Sequence, residues 1–180
     1  MKRLITPLAL LMGLSLGAQA APYGGIDPAA SRIQFNYAQM GVSMSGEFKR
    51  FAAQLTLDPS APEQAQGQLN IDLASIDTGS SEANQEVVGP AWFHTAAHPQ
   101  AQFVLRRLTP QGPGRFQAQG QLRIKGQTRA LQAPVQLSPE GLLRGELVIQ
   151  RADFGIGEGM WSAFDIVANP VTVQFTLQLK

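Results

Sequence analysis

From Pro170 to Lys180 apolar and polar residues alternate without a break. Val171, Val173, Phe175, Leu177 and Leu179 are separated by Thr172, Gln174, Thr176 and Gln178. Side chains on a strand point to opposite faces in turn, so the segment has one oily and one wet face. That is the pattern of an antiparallel sheet with one side in water. The run Phe116–Lys125 repeats it, with Phe116, Ala118, Gly120, Leu122 and Ile124 at apolar parity. Strands are predicted near residues 31–38, 42–57, 66–74, 100–108, 115–125, 128–138, 142–152 and 170–180. Turn signals separate most of them: Asp58-Pro59, Thr109–Gly114, Lys125-Gly126 and Ser138–Gly141. Eight short strands joined by polar turns argue for a sandwich or an up-and-down barrel. Residues 80–98 lack alternation and open with Ser80, Ser81 and Glu82, which cap helices. One or two short helices crossing an end of the sheet are expected there. Gly155–Pro170 reads as a flexible glycine-rich connection carrying Trp161 and Phe164.

The apolar parity places Ile33, Leu55, Leu73, Leu105, Leu131, Val135, Val173 and Leu177 inside. Small residues share that parity: Ala101, Ala118, Gly120, Ala133 and Gly145. An eight-stranded barrel is wide enough for side chains to fill it or for one small ligand. Small inward residues either leave room for that ligand or are filled by facing Phe and Leu side chains. Both readings stand on parity alone.

Composition narrows the classes. Lys2 and Arg3, the apolar run Leu4–Leu16 and Ala18-Gln19-Ala20 form a secretory signal peptide with cleavage expected after Ala20. One domain is expected over residues 21–180. Removing Lys2 and Arg3 takes 14 basic residues to 12 against 13 acidic. The chain has no basic block, so nucleic acid is not an expected partner. Cysteine is absent, which excludes thiol chemistry and suits an oxidising compartment without disulfides. The predicted location is the periplasm.

Candidate chemistry is sparse. Asp153-Phe154-Gly155 spells a kinase magnesium triplet without the rest of that set. Gly155–Gly159 resembles a phosphate loop only in glycine content. His94 and His98 stand one helical turn apart, but Pro99 follows and no third ligand has positional support beyond Glu82 or Glu86. Gly41–Ser45 has Ser where a nucleophile elbow needs Gly. No catalytic residue, metal or cofactor is therefore assigned, and the protein is read as a non-enzyme. Arg151 and Asp153 share strand parity, which predicts an ion pair at the rim or an inward Arg151.

Several ordered motifs carry a family resemblance. Tyr23, Ile26-Asp27 and Ser31-x-Ile33-x-Phe35 open the series. Met40-Gly41-Val42 and Gly46-x-Phe48-x-x-Phe51 follow. Then come Ser75–Gly79, Trp92-Phe93, Pro99-x-Ala101-x-Phe103, Gly120-x-Leu122-x-Ile124-x-Gly126-x-Thr128 and Arg151-x-Asp153–Gly157. In this order they resemble the YceI-like proteins across nearly the whole of residues 21–180. Gln39, Asn84, Val87, His94 and His98 depart from the family pattern.

The resemblance implies an all-β fold with a short helical insertion, an eight-stranded antiparallel lipocalin-like barrel. It implies a carrier for a long-chain isoprenoid lipid, a polyisoprenoid or a quinone, with a membrane b-type cytochrome as a partner it could serve. The oligomeric state is left as monomer or homodimer. On this reading the strands line a tunnel with Phe35, Tyr37, Phe48, Leu69 and Ile71 from the N-terminal half. Phe103, Phe116, Ala118, Gly120, Leu122 and Ala133 come from the middle strands. Leu147, Ile149, Phe154, Trp161 and Phe175 complete it, and Arg151 is the candidate head-group contact. The alternative is a packed barrel or sandwich acting as a protein-interaction or stress-response module, which exposed Trp92 or Trp161 would favour.

Overall fold

The alternation is realised strand by strand in the computed structural model, which describes residues 22–180. The expected signal peptide lies outside the described residues. The strands are β1 (Ile26–Gln39), β2 (Val42–Phe48), β3 (Phe51–Thr56), β4 (Gln66–Asp72) and β5 (Ile76–Asp77). After helix α1 (Ser81–Val87) come β6 (Gln100–Gly112), β7 (Arg115–Ile124), β8 (Gln127–Leu137), β9 (Leu142–Gln150) and β10 (Pro170–Leu179). On β7 the five residues of apolar parity are all buried, and the residues between them are exposed or half-buried.

All ten strands join one antiparallel sheet in the order β3-β4-β6-β7-β8-β9-β10-β1-β2-β5, strongly curled into a half-barrel. Eight strands were expected, and the difference has a local cause. Phe48 and Phe51 are three residues apart, so Lys49-Arg50 breaks the period of two. The Lys49 N–H donates to the Ser75 carbonyl, and the Arg50 carbonyl accepts from the Asp72 N–H. The predicted strand 42–57 is thereby split around a corner. The two-residue β5, paired with Glu47 and Phe48, supplies the remaining strand. At the corner Lys49 pairs with Asp77, and Arg50 pairs with Asp72 at 2.9 Å.

Two hairpins use two-residue turns with both φ angles positive: Met40 and Gly41 (49° and 77°), and Lys125 and Gly126 (48° and 77°). Their twist matches that of the flanking strands, which is why this turn class dominates short hairpins. Residues 151–154 form a 3-10 turn rather than the end of a strand. The predicted strand parity of Arg151 and Asp153 therefore fails, and so does their ion pair. The apolar side chains gather in two clusters. One, around Ile26, Leu57, Leu108, Phe116, Val135 and Leu179, closes the floor of the barrel. The other, around Leu73, Trp92, Leu122, Phe154 and Ile156, lies towards the opposite end.

Candidate functional site

Between the two clusters the barrel is hollow. The cavity measures about 560 Å³ and is bordered by residues of all ten strands and of α1. That volume falls within the ~300–1,000 Å³ typical of ligand pockets. Its wall is apolar. The charged residues that border it are Glu82, Glu86 and Arg151.

Most of the expected lining residues are there. Phe35, Tyr37, Phe48, Leu69, Ile71 and Phe103 border the cavity, as do Ala118, Leu122, Ala133, Leu147, Ile149, Trp161 and Phe175. Ala118 and Ala133 sit directly opposite each other on β7 and β8. Three expected residues do not border it. Phe116 packs into the floor cluster. Phe154 is buried at 1% exposure beneath the 3-10 turn, with the Arg129 guanidinium 5.9 Å from its ring. Gly120 is covered by Phe103: a Cβ there would meet the ring tip at 2.3 Å and the Val104 carbonyl at 2.5 Å.

That last arrangement recurs. A Cβ at Gly46 would meet the Phe35 ring, and one at Gly145 the Phe175 ring, each at 2.3 Å. The inward glycines are thus not vacant space. They seat aromatic rings from neighbouring strands, which then form the cavity wall. The two alanines differ, because their methyl groups themselves face the hollow.

Sequence alternation could not identify the cover over the cavity, since it is not made of strands. Ser80 caps α1 by accepting from the Ala83 N–H at 3.3 Å. From α1 the residues Glu82, Ala83, Glu86 and Val87 border the cavity, joined by Trp92 and Phe93 from the segment that follows. The Trp161 indole N–H donates to Glu86 at 2.8 Å, so α1 and the 155–169 loop meet over the hollow. Trp161 and Trp92 pack with ring centroids 5.5 Å apart. Trp92 is buried, and its own N–H has no hydrogen-bond partner among the described residues.

Arg151 organises this loop. It is 2% exposed. Its Nε donates to Ala168, Nη1 donates to the carbonyls of Ile156 and Gly157, and Nη2 to those of Trp161 and Val167. These distances run from 2.7 to 3.2 Å. A guanidinium has five N–H donors, so this set is full without any ligand. Its face also stacks near Trp92 and Phe164, at 5.6 and 5.1 Å. Gly157, at φ 78°, allows the approach, because a Cβ there would lie 2.2 Å from Nη1. Burial draws the Arg151 pKa below the usual arginine range, and the group remains a cation at neutral pH. The loop read as a flexible connection is instead tied by its own carbonyls to one buried cation.

Burial also raises the Tyr37 phenol above its ordinary 10.0, so it borders the cavity as a neutral hydroxyl. His94 and His98 stack edge-on with centroids 5.8 Å apart, away from the cavity wall. Among the described residues no three His, Asp or Glu side chains cluster as metal ligands do. No helix there is long and apolar enough to cross a membrane.

Comparison with known proteins agrees with this architecture. The YceI-like domain matches residues 25–179. A UPF0312 protein of Vibrio parahaemolyticus is 27% identical over 129 residues, 70% of this chain and 68% of that protein. One from Photorhabdus laumondii is 29% identical, covering 76% and 71%. Among solved structures, BcnA of Burkholderia cenocepacia superposes with a TM-score of 0.82 at 36% identity, over 84% of this chain and 98% of that one. A polyisoprenoid binding domain from Saccharophagus degradans gives 0.66 at 20% identity, over 87% and 97%, a likeness of fold.

Proposed function

The chain belongs to the YceI-like domain family, and from that premise we propose that it is an exported, non-enzymatic carrier of a polyisoprenoid lipid with an uncharged head group. The observation that carries this reading is the apolar cavity of about 560 Å³ under the α1 and 155–169 cover. Affinity there comes from area. Each buried methylene contributes about 0.8 kcal/mol, so about ten supply the roughly 8 kcal/mol of a micromolar complex without one hydrogen bond. A related fold is a polyisoprenoid binding domain, which supports the choice of tail.

The charges at the cavity favour a neutral head. Arg151 has no donor left for a phosphate. Glu82 and Glu86 border the same space and oppose a second anion. A quinone carbonyl or a prenol hydroxyl meets neither obstacle, and Tyr37 offers it a neutral partner. The Glu86–Trp161 contact is accounted for as a latch on the cover, not as acid-base machinery.

Organic extraction of the purified protein, followed by mass spectrometry, tests the reading. A co-purifying isoprenoid quinone or prenol is expected. In competition, a prenol should displace a bound prenyl fluorophore at lower concentration than the prenyl phosphate of equal length. Preferential binding of the phosphate would overturn the head-group assignment. A protein that extracts clean and binds no prenyl probe would overturn the carrier function.

A further inference from the structure

Exposed apolar side chains are not scattered over this molecule. Met40 (75%), Val42 (60%), Met160 (80%), Phe164 (50%) and Ile166 (36%) are five of the six large apolar side chains that are exposed among the described residues; the sixth, Val148, lies on the outer wall of β9. The five come from two segments, the β1–β2 hairpin tip and residues 159–168. Backbone bonds join those segments: the Met40 N–H donates to the Ile166 carbonyl and the Ala168 N–H to the Ala38 carbonyl, at 2.8 and 2.9 Å. Gln39 and Val167 pair as a β-bridge.

The patch is continuous with the cavity. Met40, Met160 and Ile166 are chain neighbours of Gln39, Trp161 and Val167, and each of those three borders the hollow. The fold does not require the exposed groups. Met40 occupies a left-handed turn position, φ 49°, where Asn or Asp is the favoured residue. The equivalent place in the β7–β8 hairpin holds Lys125, paired with Glu158 at 2.7 Å.

We propose that this apolar rim docks the protein on the surface of an uncharged or zwitterionic lipid bilayer, with the hairpin tip and the 159–168 loop entering the interface. The inference rests on the carrier reading for its purpose, since a water-insoluble tail must enter from lipid. The choice of a bilayer follows from charge. Residues 38–43 carry no ionisable side chain, and residues 159–169 carry Asp165 alone. A surface built for anionic lipid has clustered Lys and Arg; this one has none and adds a carboxylate. Its adsorption therefore depends on inserted apolar area and not on salt.

Flotation with vesicles of phosphatidylcholine and phosphatidylethanolamine tests it on the whole protein. The unaltered protein should float, raised salt should not release it, and adding phosphatidylglycerol should not strengthen binding. The doubly substituted Met40→Ser/Met160→Ser protein alters only side chains in water. It should keep its thermal midpoint and lose about tenfold or more in partitioning. Met160→Trp should partition more strongly. A prenyl-tagged fluorophore short enough to dissolve, titrated without vesicles, reads the cavity separately.

Probe binding without flotation would overturn the docking surface alone. Flotation without probe binding would overturn the carrier reading and leave the docking surface standing. Flotation confined to phosphatidylglycerol vesicles and abolished by salt would also overturn the proposal. So would a solution dimer that the two serines dissolve, which would assign the patch to a second copy of the chain.

Discussion

Ala118 and Ala133 carry the clearest residue-scale consequence of the hollow interior. They face each other across β7 and β8, and both border the cavity. A phenylalanine at either place projects its ring into unfilled space. Ala118→Phe or Ala133→Phe should therefore abolish binding of a prenyl fluorophore while the thermal midpoint stays near that of the parent. In a close-packed interior the same ring would cost about 1–3 kcal/mol and leave nothing to block. Retained binding with a large fall in midpoint would contradict the cavity. Arg151 is the opposite case, a side chain with no free capacity. Lysine has three donors and no plane, so Arg151→Lys strands at least two buried carbonyls. The expected loss is roughly 2–6 kcal/mol in denaturant unfolding, at about 1–3 kcal/mol for each buried polar group left unsatisfied.

At the scale of elements, the curl of the sheet brings aromatic rings over glycines on neighbouring strands. Two of these glycine sites, Gly120 and Gly145, should respond differently to a methyl group. At Gly120 a Cβ meets both the Phe103 ring and the Val104 carbonyl, and backbone cannot swing aside. At Gly145 the closest atoms all belong to the Phe175 ring, which has the cavity to move into. Gly120→Ala should cost about 1–3 kcal/mol by the overpacking rule. Gly145→Ala should cost less stability and more ligand affinity, because the displaced ring occupies the tail's space. Chemical denaturation and probe titration of the two variants separate these effects, and equal losses in both assays would refute the distinction. The cover is a second element-scale device. A seven-residue helix and an irregular loop meet through Trp161 and Glu86, and that loop is the one Arg151 holds.

Over the whole molecule, the strands at the sheet's two ends meet around the Lys49-Arg50 corner, and the Lys49–Asp77 pair there should respond to acid. The hydrogen bond from the Lys49 ammonium, with the Gly79 N–H and the Asn84 amide, draws the Asp77 carboxyl down from 3.8 to about 2. A carboxyl whose pKa is lower in the folded state stabilises the fold above its unfolded value. That contribution is lost as pH falls from about 4 through the folded value near 2. Asp77→Asn should therefore lower the thermal midpoint at neutral pH. The gap to the parent should close as pH drops through that window. A gap that stays constant down to pH 2 would mean the charge does nothing at the corner. Asp77 is exposed enough that the effect should also shrink in salt.

How much of this was legible beforehand follows from the range of each interaction. Strand parity is local, set by the alternation of side chains along an extended backbone. The sequence by itself therefore determined the antiparallel β class, the inward faces of β4, β6, β7, β8, β9 and β10, and the helix opening at Ser80. The ordered motifs added the family and with it a hollow interior. The split at Lys49-Arg50 was also written in the chain, as a three-residue spacing between Phe48 and Phe51, but its meaning depends on Asp72 and Ser75, more than twenty residues away. Which small residues border space and which seat a ring depended on partners across the sheet: Gly120 and Ala118 have the same parity and opposite roles. Sequence parity leaves Arg151 as either a rim ion pair or an inward head-group contact, yet its full set of carbonyl partners comes from a loop with no periodicity. Only tertiary structure decided those points, because curling a sheet brings together atoms whose spacing along the chain carries no repeating signal.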